Sequence, residues 1–261
     1  YTAADKIGGG YYCFGTVGII DSMSANSKFF LSALDINGNV VWTKTYTTAS
    51  GYTYCYAAPK VKQLPNGDFV VSMNIMESMG ILRIDANGNL LWGKEFYDDP
   101  SKNPSFDVLP TPDGGFISCG KRDSDKMYVK VNGNGVVQWS KILTDGNQTY
   151  NHPKSMLNTS DGNIISVGLE TDIMGFYTGF IMKMDNSGNP LWYKSYTNGL
   201  GFFYFKEVIE LYNGNLAFVG VCYNSNYMPV IVITDANGNL ISSDLIGTSY
   251  CNDENFMLRK T

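Results

Sequence analysis

Histidine is nearly absent from this chain: His152 is the only one in 261 residues. A zinc site built on imidazoles therefore lacks ligands. A Ser-His-Asp triad has one candidate base and no nucleophile-elbow sequence near it. Basic clusters are missing too. The 19 Lys and Arg are scattered among 24 Asp and Glu, for a net charge of -5, which argues against a phosphate-reading surface and so against nucleic acid as a partner. No apolar run approaches the roughly 20 residues of a membrane helix, so no membrane span is expected. Five cysteines, Cys13, Cys55, Cys119, Cys222 and Cys251, form no C-x-x-C pair and cannot all pair within the chain. They read as buried thiols on strands. No segment shows helical periodicity. The chain begins at Tyr1 without Met or a signal peptide, as a processed chain or a fragment does.

What is present is glycine and aromatics, 28 Gly with 14% aromatic residues, in a chain 44% hydrophobic and 16% charged. That is a globular composition of short strands separated by tight turns. The turns recur. "LDINGNVVWTKTY" begins at Leu34, "IDANGNLLWGKEF" at Ile84, "VNGNGVVQWSKIL" at Val131, "MDNSGNPLWYKSY" at Met184 and "TDANGNLISSDLI" at Thr234. Gly38, Gly88, Gly135, Gly188 and Gly238 are spaced 50, 47, 53 and 50 apart, and Trp42, Trp92, Trp139 and Trp192 each follow four residues later. Ser242 takes the Trp place in the last copy. A second turn lies between these: "LPNGDFVVSM", "TPDGGFISCG", "TSDGNIISVG", "LYNGNLAFVG" and, near the start, "IGGGYYCFG".

Asn, Asp and Gly tolerate the positive φ of tight hairpins, and the flanking Val, Ile, Phe and Tyr suit strands. The second unit reads as strand a near "PKVKQL", b "DFVVSMN", c "GILRID" and d "NLLWGKEF". Four strands in about 40 to 50 residues mark a β-propeller blade. The expected fold is all-β, a five-bladed β-propeller with four antiparallel strands per blade, forming a single domain over residues 1–261. The blades are expected at 1–46 plus 252–261, 47–97, 98–143, 144–196 and 197–251. The tail "TSYCNDENFMLRKT" is similar to "YTYCYAAPKVKQLP", so the run 256–260 reads as a strand a that completes the first blade and closes the ring, leaving no open edge. The alternative is that residues 3–7 supply that strand.

"ALDINGNVVW" is similar to the docking motif of pyrroloquinoline-quinone-like propeller repeats, with Ala33, Asp35, Gly38 and Trp42 in the family's order. Asp85, Asp185 and Asp235 repeat the acidic place, whereas Asn132 replaces it in the third copy. The resemblance implies that the Trp residues pack against the neighbouring blade. The Asp-to-Gly turn is one residue shorter than in that family, and Ala is kept once. The quinoprotein enzymes have more blades and a metal beside the quinone. The repeats look closer to the Asp-x-x-Gly-Asn-x-x-Trp repeats of bacterial secreted and surface propellers. The resemblance implies a fold and no activity.

"DANGN" places Asp85, Asn87 and Asn89 at the first, third and fifth positions of a calcium loop, but Phe96 stands where the bidentate Glu belongs. The turn reading explains the same residues, and neither metal nor cofactor is expected. Trp42, Trp92, Trp139 and Trp192, with Asp35, Asp85, Asp185 and Asp235, are assigned structural roles. For a glycosidase, Asp107, Glu207, Glu210 and Glu254 are the carboxylates to weigh. Both tight turns of a blade lie at one end of its sheet, so the variable b–c and d–a connections lie at the other. Those connections hold Tyr52, Tyr54, Tyr56, Tyr150, Tyr177, Phe202, Phe203 and Tyr204, the candidate ligand-binding residues. The expectation is a non-enzymatic extracellular, cell-surface or virion-surface module that binds a glycan or protein. A structural part of a phage, virion or fibre that self-assembles, and a glycoside hydrolase, are the alternatives.

Overall fold

A computed structural model describes residues 2–17, 20–21, 24–25, 28–47, 59–75, 78–96, 105–144, 150–172, 174–197, 202–224 and 226–246. They form five four-stranded antiparallel sheets. The first holds β1 (Thr2–Asp5) and β2 (Tyr11–Val17); a small hairpin of β3 (Ile20–Asp21) and β4 (Ser24–Ala25) intervenes before β5 (Lys28–Leu34) and β6 (Val40–Tyr46). The second holds β7 (Lys60–Gln63), β8 (Phe69–Ile75), β9 (Ser78–Ile84) and β10 (Leu90–Phe96). The third holds β11 (Ser105–Pro110), β12 (Phe116–Arg122), β13 (Asp125–Val131) and β14 (Val137–Leu143). The fourth holds β15 (Asn151–Asn158), β16 (Ile164–Thr171), β17 (Tyr177–Met184) and β18 (Pro190–Tyr196). The fifth holds β19 (Phe203–Glu210), β20 (Leu216–Asn224), β21 (Asn226–Thr234) and β22 (Leu240–Leu245). Within each sheet the strands lie in chain order, the meander that tight turns impose. These are the blades of a five-bladed β-propeller. No helix among the described residues is long and apolar enough to cross a membrane.

One expectation is corrected. The first strand of the first sheet comes from the N-terminus, not from the tail expected to supply it: β1 pairs antiparallel with β2, Thr2 opposite Phe14 and Asp5 opposite Tyr11. The cause is local. Lys6 N–H donates to Gly10 O at 2.9 Å and Gly9 N–H to Lys6 O at 3.1 Å, so the chain turns back on itself as it does before the second strand of the other sheets. The run 256–260 lies outside the described residues.

The chain divides into two compact units, Tyr1–Asp123 with Val129–Gln138 and Ser124–Tyr128 with Trp139–Thr261. In the first, Tyr12, Phe14, Phe29, Leu31, Phe69, Val71 and Ile84 are among the residues that make one buried cluster. In the second, Ile165, Val167, Ile181, Phe203, Phe205, Phe218 and Val232 do the same. The second and third strands of the second, third and fourth sheets are buried along most of their length, and the fourth strands are mostly exposed. This burial explains the sequence pattern: apolar runs such as "FVV" at 69–71 and "II" at 164–165 sit where both faces are covered.

The repeated turn is built from its own atoms. Asp185 Oδ1 accepts from the N–H groups of Ser187 and Asn189, both at 2.8 Å, while Oδ2 accepts from Asn189 Nδ2 at 2.9 Å. Asp35, Asp85 and Asp235 make the same three bonds, and Asn132 makes the two backbone ones. These donors hold the Asp185 carboxyl below its usual range, the Asn189 backbone bond first among them. Gly188, at φ 75°, sits under the Trp139 ring, and a Cβ there would stand 2.8 Å from it. Trp42 covers Gly88, Trp92 covers Gly135 and Trp192 covers Gly238 in the same way. The turn glycine thus serves twice, for its backbone conformation and for the approach of an indole from the preceding repeat. Each Trp is half-buried, less than full core burial. Lys141 and Lys194 add bonds to Asn189 and Asn239.

A second repeating feature joins the other turn to the third strand. Arg83 pairs with Asp68 at 2.7 Å, Lys130 with Asp113 at 2.6 Å and Lys183 with Asp161 at 2.5 Å. The sequence shows no period that announces it, because the cation is Arg once and Lys twice and the first and fifth units carry Ala33 and Ile233 at that place.

Candidate functional site

The run "GFFYF" places four aromatic residues in succession at the start of β19, and period two divides them. Phe203 and Phe205 turn into the core, ring centroids 5.0 Å apart, where a Cβ on Gly179 would meet the Phe203 ring at 2.7 Å. Phe202 and Tyr204 turn the other way and pack with Leu169, Val221 and Tyr177. The strand is bent here by a bulge between Phe205 and Glu207. Gly220 lets β20 approach the bulge, since a Cβ there would lie 2.2 Å from Tyr204 O.

From Phe202 a chain of rings runs in both directions within the second unit. On one side, Tyr177 packs edge-on at 5.1 Å, Tyr150 on Tyr177 at 6.0 Å, and His152 stacks on Tyr150 at 4.0 Å. On the other, Tyr227 packs on Phe202 at 5.3 Å and Tyr223 on Tyr227 at 5.2 Å. Tyr204 joins at 5.5 Å. Backbone contacts fix the centre of the chain: Phe202 bridges to Tyr177, and its carbonyl accepts from Tyr223 N–H at 2.9 Å. Tyr150, Tyr223 and Tyr227 remain 37%, 40% and 45% exposed. Burial first, then the neighbouring Tyr177 hydroxyl, pushes the Tyr150 phenol up.

The hairpin between β16 and β17 adds to this surface by a familiar device. Asp172 Oδ1 accepts from the N–H groups of Met174 and Phe176, both at 2.9 Å, and Gly175 takes φ 83°. The segment expected as a long variable loop is thus another Asp-x-x-Gly turn, placed at the opposite end of the fourth sheet. It leaves Met174 and Phe176 exposed beside Tyr177.

Beneath the rings lies a buried ion pair. Lys126 Nζ donates to Glu170 Oε2 at 3.2 Å and to Asn151 Oδ1 at 2.8 Å, over the rings of Phe180 and Tyr193 at 4.7 and 5.0 Å. The hydroxyls of Tyr193 and Ser195 donate to Glu170, and Asn151 Nδ2 donates to Ser124 O at 2.7 Å. Both charges are out of solvent, at side-chain exposures of 1% and 0%. Such a pair is tolerable only because each charge is hydrogen-bonded. It fixes Asn151, the residue between Tyr150 and His152, and so steadies one end of the ring chain.

Of the expected ligand residues, the structure brings Tyr150, Tyr177, Phe202 and Tyr204 together. Phe203 goes to the core, because alternation on β19 sends it to the face opposite its neighbours. Tyr204 is buried within the cluster. Tyr52, Tyr54 and Tyr56 lie outside the described residues. Tyr223, Tyr227, Phe176 and the stacked His152 join the site although the sequence does not single them out as binding residues. Two of the four carboxylates weighed for a hydrolase are engaged elsewhere: Asp107 is buried against Lys62 at 3.3 Å, and Glu210 accepts from both Ser160 N–H and Oγ at 2.8 Å. Glu207 is half-buried on β19, and Glu254 lies outside the described residues. Cys119 and Cys222 are buried cysteines whose pKa burial raises, Cys13 is half-buried, and Cys55 and Cys251 lie outside the described residues. Among the described residues no group of three His, Cys, Asp or Glu is placed to hold a metal.

No family model and no curated protein sequence matches the chain. Solved structures do. A protein of unknown function from Bacteroides caccae is similar with a TM-score of 0.57 at 14% identity, covering 94% of this chain and 80% of that one. A catalytically inactive virginiamycin B lyase from Staphylococcus aureus, solved with quinupristin, gives 0.56 at 14% identity over 91% and 75%. A putative exo-β-1,3-galactanase from Bifidobacterium bifidum gives 0.51 at 15% identity over 94% and 90%. The likeness is one of fold, the β-propeller, and transfers no chemistry by itself.

Proposed function

We propose that the chain is a non-enzymatic extracellular or surface binding module that takes a carbohydrate chain on the aromatic surface of its fourth and fifth sheets. The observation that carries this reading is the ring chain from His152 through Phe202 to Tyr223. Its exposed members, Tyr150, Tyr223 and Tyr227, are tyrosines, each with an apolar face and a hydroxyl. Such rings cost apolar exposure unless they meet a partner, and edge-to-face packing holds them in place with little rotamer freedom left to lose. A row of flat apolar faces edged with hydroxyls matches a sugar's C–H faces and hydroxyl rim. A protein segment is the alternative partner, since tyrosines also anchor protein interfaces. The extracellular placement rests on the resemblance of the repeats to those of secreted and surface propellers.

The test is binding of the purified chain to an array of bacterial, fungal and plant cell-surface glycans, repeated with Tyr150→Ala and Tyr227→Ala. Each substitution is expected to weaken binding about tenfold or more while leaving the fold intact, as truncation of an aromatic anchor does. Unchanged glycan binding in the double variant sinks the reading. Turnover of a chromogenic glycoside that vanishes in Glu207→Gln overturns its non-enzymatic part.

A further inference from the structure

Each of the five sheets ends on a fourth strand that pairs on one side only among the described residues. These open edges begin with exposed aliphatic side chains, Leu90 and Leu91 on β10 and Leu240 and Ile241 on β22. An exposed apolar edge invites pairing with another chain, and natural sheets guard such edges with lysine. Four of the five follow this rule: Lys44, Lys94, Lys141 and Lys194 stand six residues past the turn glycine. The fifth breaks it. On β22 the same place holds Asp244, while the exposed aliphatic pair is kept.

The four lysines are not equivalent. Lys44, Lys141 and Lys194 donate to Asn89, Asn189 and Asn239 of the following repeat. Lys94 faces the third repeat, where Val136 stands in the Asn place. The side chains of Lys94 and Asp244 are both exposed, and no hydrogen bond or ion pair engages either side chain among the described residues.

We propose that β22 of one copy pairs along its open edge with β10 of a second copy, with Asp244 set against Lys94. Both strands occupy the same place in the repeat, so a parallel register sets Leu240 beside Leu90, Ile241 beside Leu91 and Asp244 beside Lys94 at once. No antiparallel register aligns both the aliphatic pairs and the charges. Like-with-like pairing of the lysine edges is opposed by repulsion, so charge selects β22 as the partner strand. The contact is heterologous: each copy offers β22 to one neighbour and β10 to another, which builds an open series or a ring rather than a closed two-fold dimer. This inference stands apart from the aromatic surface and does not depend on it.

Sedimentation velocity of the full chain over a wide concentration range, at low and high salt, tests it. The expected result is a concentration-dependent series beyond dimer that weakens in salt. Asp244→Lys and Lys94→Asp should each lower the association constant about tenfold or more, since each replaces an attraction by a repulsion. The double charge swap should restore it. Circular dichroism checks that these exposed substitutions leave the fold unchanged. A chain that stays monomeric throughout, an Asp244→Lys variant that associates like the parent, or a double swap that fails to restore association overturns the proposal.

Discussion

The two ends of the fourth sheet are closed by the same turn and put to different use. At one end Asp185 binds the N–H groups of Ser187 and Asn189; at the other Asp172 binds those of Met174 and Phe176. What differs is the residue after the glycine. Asn189 folds back onto Asp185 and accepts from Lys141, so the turn consumes its own polar groups. Phe176 has no such option and stands in solvent next to Tyr177. The first end recurs in every repeat, and in four of the five its Asn closes onto its Asp in this way. The second occurs once among the described residues and leaves aromatic surface open. A motif that satisfies itself speaks of architecture, and a surface that does not is where recognition is to be sought.

The largest effect expected concerns what lies beneath the open end. Lys126→Ala strands the Glu170 carboxylate without its cation and should cost about 3–5 kcal/mol in urea denaturation. A loss under about 1 kcal/mol would mean that Tyr193 and Ser195 suffice to hold that charge.

The two turn glycines sharpen the comparison directly. Both take positive φ, but a Cβ on Gly188 would strike Trp139, whereas nothing lies within 4 Å of one on Gly175. Gly188→Ala should cost about 2–4 kcal/mol, combining backbone strain with a clash against the indole. Gly175→Ala bears the strain alone and should cost about 1 kcal/mol. Equal losses by thermal or chemical unfolding would deny the indole its part.

The smallest effect is one of pH. Hydrogen bonding to Lys130 above all lowers the Asp113 carboxyl to about 2, and Asp161 is lowered as well; its partly buried position opposes the shift, and the bonds to Lys183 and Thr159 outweigh it. A carboxyl with a depressed folded pKa stabilises above its unfolded value near 4, and this contribution is lost as pH falls toward 2. Both Asp side chains are about half exposed, so solvent screening keeps the loss modest. Unfolding midpoints measured from pH 5 to pH 2 should fall less in Asp113→Asn than in the parent.

The strands were readable because turn and strand chemistry agree locally. "DFVVSMN" and "NLLWGKEF" lie within a residue of β8 and β10. The first strand was harder: "TAAD" is four residues with no alternation, and only its turn, rich in glycine, marks it as a hairpin partner. At the candidate site, composition pointed to the aromatic run but not to its faces. Which of Phe202, Phe203 and Tyr204 turns inward depends on the bulge at Phe205, and no local signal fixes that register. Tyr223 and Tyr227 lie on β20 and β21, which carry the hairpin on to Asn224 and Asn226, and so not on one of the long connections from which the candidate residues are drawn. Lys126 and Glu170 lie 44 residues apart, and nothing in either neighbourhood announces the other.

The account's central claim is that recognition belongs to the aromatic end and not to the repeated turns. Glycan-array affinity of three variants tests it: Tyr227→Ala, Tyr150→Ala and, at the repeated end, Lys141→Ala. The account predicts a loss of about tenfold or more for each tyrosine and less than about twofold for Lys141→Ala. Affinity that falls with Lys141→Ala and survives both tyrosine changes would contradict it.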